Sequence, residues 1–358
     1  MKYHLTVTLD NFDPRNAADK AVRDCTAILA SRGYQMAEFS FSRSKAAKIQ
    51  AFFRLLFRLT HFSFAAEQGS LIVCQYPVIG VNRVFRFFAR ILRSRRCFLV
   101  CIIHDLNSIR YQEDEMRVKA EVARLNAFDV VISHNSTMTE WLRANGVNRE
   151  IVELELFDYL HTGAPPPDRI QTFRQEAPDI VFAGSLGRGK FIYTLHHLPH
   201  TCRFLLYGPV AGKEVPKNDH TVLYRGSYPP DELVSVIEGH FGLIWDGDSV
   251  FACEGGFGLY LEYNNPHKAS LYLAAGLPLV VPAMSAIGRF VVEHNIGILV
   301  DNLASIGETI RSLDPGDYAA MVWNVLKLRE RLIAGDFLSC ALEQAEALYE
   351  ARRYAVQV

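Results

Sequence analysis

The sequence predicts an α/β fold of two Rossmann-like domains facing each other across a cleft, followed by a long C-terminal helical tail. Three observations carry that expectation. Short apolar runs alternate with amphipathic helical stretches through both halves of the chain. The segment Thr162–Asp168, with Gly163 and three prolines, separates the two sets. The 358 residues suffice for two cores, and the composition (49% hydrophobic, 22% charged, net charge −1) is globular.

In the first half, strands are expected at Tyr3–Leu9, Leu71–Gln75, Phe98–Ile103 and Val130–Ser133, with a further candidate at Glu150–Leu156. Helical stretches between them include Asn16–Arg32 and the charged Asp114–Asn126. The second set comprises Ile180–Ala183, Arg203–Tyr207, Thr221–Tyr224, Leu243–Trp245, Leu279–Val281 and Gly297–Val300, and an amphipathic helix runs from about Asp317 to Arg353. The predicted organisation is a first domain over 1–161, a linker over 162–178, a second domain over 179–335 and a tail over 336–358 that packs back on the first domain. Ligands in such folds bind at the carboxyl ends of the strands.

Seven scattered cysteines without a CxxC pair argue against a disulfide framework and a structural zinc site, and fit a reducing cytosol. The N-terminus reads as a strand and not as a signal peptide, and no apolar run has the length of a membrane span. Between Arg43 and Arg96 the chain holds eleven Lys/Arg and one acid, Glu67. The basic residues interleave with aromatics, and Arg83, Arg86, Arg90 and Arg93 fall on one stripe of a helix. This pattern suits an anionic membrane surface; a core helix with solvated arginines is the alternative. No motif for nucleic acid accompanies it, and none is expected as a partner.

The most informative stretch is Tyr263–Leu303. Asn265 reads as an N-cap, Pro266 as the first helical residue and Gly276 as the C-terminal stop before the apolar run Leu279-Val280-Val281. Lys268 then lies in the first turn, where the helix already carries partial positive charge. A bound anion explains a lysine there, and pyrophosphate is a good fit; an ordinary surface lysine is the other reading.

Ile180–Phe191 is a strand running into a glycine-rich loop. Gly184, Gly187 and Gly189 let the backbone approach a phosphate, and Arg188 is placed to pair with it. The loop nearly spells a P-loop, but Phe191 stands where magnesium needs Ser or Thr, which argues against an NTP-driven enzyme. Asp246-Gly247-Asp248 reads as a turn and not as a metal site. Glu254 and Glu262 have the Glu-x7-Glu spacing of retaining two-domain glycosyltransferases, yet the position aligned with their second Glu is Leu271.

The run Tyr260–Lys268 followed by Ser270–Gly276 resembles the donor signature of bacterial galactofuranosyltransferases and the related adhesin glucosyltransferases. Weaker matches are Asn16–Ala21, His104-Asp105-Leu106 with Arg110, and His134-Asn135 with Met138. The resemblance implies a GT-B fold, with an acceptor-side first domain and a nucleotide-sugar-binding second domain. It implies that Arg188, Tyr228, Asn264 and Lys268 hold the UDP of a sugar donor, with Gly184 and Asn265 beside them. UDP-galactofuranose is the first expectation and UDP-glucose the second; a non-catalytic sugar-nucleotide-binding subunit is the alternative from another class. Tyr228 would stack on uracil or, as a plain loop aromatic, on the core. Asp105, beside His104, would take the acceptor's proton in an inverting reaction; the alternative is a turn-capping Asp with His104 bonded inside. His134 and Asn135 would contact donor or acceptor, although Asn135 also fits a helix cap. Asn16 and Lys20 would face the acceptor or the donor sugar. No metal or other cofactor is expected. The acceptor is expected to be a growing O-antigen or capsule glycan on a lipid carrier at the cytoplasmic face of the membrane, with self-association left open.

Overall fold

The computed structural model describes residues 1–9, 18–41, 48–78, 80–163, 168–187, 189–210, 220–314 and 316–357. The chain forms two compact units. One comprises Met1–Asp13, Val22–Leu154 and Phe337–Val358; the other comprises Pro14–Ala21 and Glu155–Asp336.

The first unit holds a parallel six-stranded sheet of β1 (Lys2–Leu9), β2 (Gln35–Phe41), β3 (Leu71–Tyr76), β4 (Phe98–Ile103), β5 (Val130–Ser133) and β6 (Glu150–Glu153), in the order β2-β1-β3-β4-β5-β6. Every residue of β3 and β4 is buried, as central parallel strands covered on both faces require. The strand β2 escaped the sequence reading because QMAEFSF mixes polar and apolar residues without a clean run.

The second unit holds β7 (Asp179–Ala183), β8 (Arg203–Tyr207), β9 (Val222–Gly226), β10 (Phe241–Leu243), β11 (Leu279–Pro282) and β12 (Gly297–Val300), all parallel. The order β9-β8-β7-β10-β11-β12 is the doubly wound Rossmann order. Its β10 lies two residues earlier than expected, because the apolar run continues past the strand into the buried Ile244 and Trp245.

The expected helical tail is two helices, Asp317–Ala334 and Asp336–Gln357, broken at Gly335 in the left-handed region. The last helix belongs to the first unit. Phe337, Leu338, Ala341, Leu342, Ala345 and Tyr349 form its buried stripe, and Glu346 binds Lys2 (3.0 Å) and accepts from the Tyr34 hydroxyl (2.8 Å). Among the described residues no helix is long and apolar enough to cross a membrane.

Candidate functional site

The strand order of the second unit reverses between β7 and β10, and the carboxyl ends at such a switch point are where doubly wound sheets bind ligands. Lys268 sits there. Its Nζ donates to the carbonyl of Trp245 just past β10 (3.1 Å), lies 3.6 Å from Asp246 Oδ2, and rests 4.8 Å over the Phe182 ring of β7. A side chain placed on Gly184, the residue after β7, would come within 3.7 Å of the Lys268 stem. The lysine therefore lies between the two strand ends, its stem within contact distance of Gly184.

The helix that carries it is His267–Ala274, with Pro266 at the cap position. Asn265 is not the cap: it is buried, and its carboxamide donates to the Glu155 carbonyl. Arg329 Nε donates to the Ala274 carbonyl (2.6 Å), and Arg169 donates to the Ala275 carbonyl through Nη2 (2.7 Å) and Nε (3.2 Å). Two guanidinium groups at the C-terminal carbonyls oppose the negative end of the helix dipole. Arg169 falls inside the segment read as a linker, yet it is buried and also binds the carbonyls of Ile237 and Gly239. Tyr272 takes the Ala183 amide on its hydroxyl (2.7 Å), and its ring occupies the space that a side chain at residue 242 would need. A helix pinned this way presents Lys268 at a fixed place. Just upstream, Asn264 Oδ1 is buried with no hydrogen-bond partner, an acceptor that a ligand hydroxyl could satisfy.

Glycines line the neighbouring strand ends. The Gly184 amide donates to the Tyr207 carbonyl (3.0 Å) and the Gly208 amide to the Gly226 carbonyl (2.8 Å). Gly208 (φ +132°) has no space for a Cβ, which would lie 1.9 Å from the Gly184 oxygen. The glycine at 208 is what lets the ends of β7 and β8 come this close together. Tyr228 stands over Gly226, 37% exposed, with its ring 6.3 Å from that of Tyr207. Arg188 lies outside the described residues. Asp246 faces Lys268, and Asp248 binds Lys190 (2.6 Å), so the Asp-x-Asp pair is split between two lysines. Among the described residues no three His, Cys, Asp or Glu side chains are grouped to hold a metal ion.

Lys20, expected toward acceptor or donor sugar, is buried in the second unit. Its Nζ donates to the Leu160 carbonyl (2.8 Å), pairs with Asp231 (2.9 Å) and lies 4.8 Å over the Tyr159 ring. Burial of an ammonium demands such partners. Asn16 lies outside the described residues.

In the first unit, His104 and Asp105 follow β4. His104 Nε2 lies 2.6 Å from Gln75 Oε1, and since that oxygen only accepts, the ring donates through Nε2. The Gln75 amide reaches His4 Nε2 (3.1 Å), Thr26 Oγ1 (3.1 Å) and the Val22 carbonyl (3.2 Å). Asp105 forms an ion pair with Arg110. His134 is buried and donates to the Ile103 carbonyl (3.0 Å) at the end of β4. Asn135 caps the helix Ser136–Ala144, its oxygen accepting from the Met138 amide (2.9 Å). Through its bond His134 fixes the strand end from which His104 and Asp105 emerge.

The profile of the glucosyltransferase 3-like N-terminal domain matches residues 2–156, and that of the C-terminal domain matches residues 180–345. The chain belongs to the glucosyltransferase 3-like family. It is a glycosyltransferase. The β-1,6-galactofuranosyltransferase WbbI of Escherichia coli (strain K12) is 32% identical over 293 residues, covering 80% of this chain and 82% of that one. Glucosyltransferase 3 of Streptococcus gordonii is 25% identical over 349 residues, covering 94% and 96%. Sucrose-phosphate synthase from Thermosynechococcus elongatus (TM-score 0.63, 17% identity, covering 99% and 100%) and Anabaena HepE in complex with UDP-glucose (0.60, 14%, 98% and 100%) share the GT-B fold.

The Gln75 network, Gly208 and Gly226 beside Gly184, and the two arginines behind the His267–Ala274 helix were not anticipated from the sequence. Gly208 directly after β8 and Gly226 at the end of β9 were the available signal. The network carries a consequence for the transferase in acid. Burial lowers His4 to about 4, and burial likewise takes His134 to about 4, so both are neutral when folded. The unfolded chain binds these protons below about pH 6.5, so their contribution to stability is complete above that value and is lost as pH falls toward 4. At pH 5 the loss is about 2 kcal/mol for each histidine. His267, which burial also lowers to about 4, adds to the same loss. The urea midpoint should therefore drop between pH 7 and pH 5, and part of that slope should vanish in His134→Gln; a midpoint indifferent to pH over this range would contradict the assignment.

Proposed function

We propose that this transferase moves a galactofuranosyl group from UDP-galactofuranose onto a hydroxyl of a growing cell-surface glycan of the O-antigen or capsule type, with inversion and without a metal. The supporting observation is the place of Lys268, a cation held at the switch point on the first turn of a pinned helix and beside bare glycine backbone. That arrangement suits a nucleotide diphosphate. In this reading Lys268 and the helix amides receive the diphosphate, Arg188 adds a second cation, Tyr228 stacks on uracil, and Asn264 accepts from a donor hydroxyl.

The acceptor oxygen attacks the anomeric carbon while the bond from that carbon to the β-phosphate oxygen breaks. Charge grows on the departing UDP, where Lys268 does the work a divalent ion does elsewhere. The acceptor's proton passes to Asp105, or to His104 beside it. Galactofuranose is preferred because the relative at 32% identity is named for it. The glucosyltransferase 3 relatives favour glucose as the second reading.

Incubating the protein with a panel of UDP-sugars, an O-antigen-type acceptor and EDTA, and following UDP release, tests all parts together. Fastest release from UDP-galactofuranose is the expected result. A preference for UDP-glucose transfers the assignment to the second reading, and dependence on added metal removes the role given to Lys268.

A further inference from the structure

The helix Lys48–Ala65 of the first unit buries one face and leaves an unusual one outside. Leu55, Leu59 and Ser63 face the core. On the opposite side Phe53, Phe57 and Phe64 are 63%, 73% and 59% exposed, and Ile49 continues the stripe. Residues 53, 57 and 64 fall within one narrow angular band of a helix at 3.6 residues per turn. Phe57 and Phe64, with Thr60, His61 and Ala65, line an open groove of about 390 Å³. Arg54 and Arg58 are exposed along one flank of the stripe, and the helix contains no Asp or Glu.

The neighbouring helix Phe85–Ser94 packs against it and repeats the composition, with Phe87 exposed and again no acid. Its Arg86, Arg90 and Arg93, together with Arg149, line a cavity of about 350 Å³; Arg93 there also binds Asp129 (2.6 Å). Arg83 lies before the helix start, and Arg43 and Lys45 lie outside the described residues.

Three phenylalanines in water on one helix face require a cover. The charge beside them selects it. A second copy of the chain meeting this face about a two-fold axis would bring Arg54 and Arg58 against their own equivalents, a like-charge contact. A bilayer bearing anionic headgroups instead offers hydrocarbon to the rings and negative charge to the arginines at the same depth. We infer that the outer face of the Lys48–Ala65 helix docks the protein on an anionic lipid surface, its phenylalanines inserting at the headgroup boundary. The surface rests on no assumption about the sugar donor.

Flotation of the full chain with vesicles of phosphatidylcholine, and of phosphatidylcholine mixed with phosphatidylglycerol, tests it. The protein is expected to float with the mixed vesicles and not with the neutral ones. The triple variant Phe53→Ser, Phe57→Ser, Phe64→Ser is expected to lose binding by about tenfold or more, and Arg54→Glu with Arg58→Glu to lose it as well. Because these side chains are exposed, the variants should keep the thermal midpoint and transfer to a water-soluble acceptor. Three results would overturn the inference: a wild-type protein that ignores the mixed vesicles, a triple variant that floats as well as wild type, or a solution dimer that the triple variant separates.

Discussion

Asp105→Asn is expected to lower transfer by about 10²–10⁴-fold while UDP affinity stays within about twofold. The amide keeps the shape of the carboxylate and can still face Arg110, so the fold and the donor site should be intact; only the capacity to take a proton is removed. The position supports a chemical role. Asp105 leaves a strand buried along its whole length, His134 fixes that strand's last carbonyl, and Gln75 holds the adjacent His104 ring. The experiment also separates two classes of protein. A sugar-nucleotide-binding subunit without catalysis of its own would support the same turnover with Asn as with Asp. If Asp105→Asn is active and His104→Ala is not, the proton passes to the imidazole, whose Nε2 hydrogen is already committed to Gln75 and whose Nδ1 is then the basic atom.

Lys268→Ala is expected to weaken UDP binding by about a hundredfold and to reduce transfer by about 10²–10³-fold. Its ammonium lies beside the Phe182 ring and the Trp245 carbonyl on a helix held by Arg169, Arg329 and Tyr272. A charge fixed in a confined, partly dry place needs no reorganisation when the diphosphate departs. Asp246, its other neighbour, is partly exposed, so the variant should leave stability nearly unchanged. Lys268→Arg should recover only part of the activity, because a planar guanidinium places its charge and donors differently from the ammonium that meets the Trp245 carbonyl. Full activity in Lys268→Ala would place the diphosphate elsewhere.

The sequence was most legible where one physical signal dominated. β4 lies where an uninterrupted apolar run puts it, since a strand buried on both faces has no polar positions, and β5, β8 and β12 also keep their expected bounds around shorter apolar runs. Gly276 stops its helix in the left-handed region as its position suggested. The misreadings share a different cause. Asn265 occupies a position where caps are common, and its partner, the Glu155 carbonyl, is remote in the chain. Asn135 could be read as cap or contact, and the hydrogen bond from Met138 shows the cap. Arg169 looked like linker punctuation because nothing local reveals that four of its hydrogen bonds go to carbonyls far along the chain. Partner identity across long separations is three-dimensional information, and a single sequence carries little of it.

The claim beneath the functional reading is that the second unit grips a nucleotide through its phosphates at Lys268. Titration calorimetry of UDP and of uridine into the protein, repeated on Lys268→Ala, measures that directly. The account predicts clear binding of UDP, far weaker binding of uridine, and loss of most of the difference in the variant. Equal affinity for UDP and uridine, or UDP binding untouched by the substitution, would contradict it.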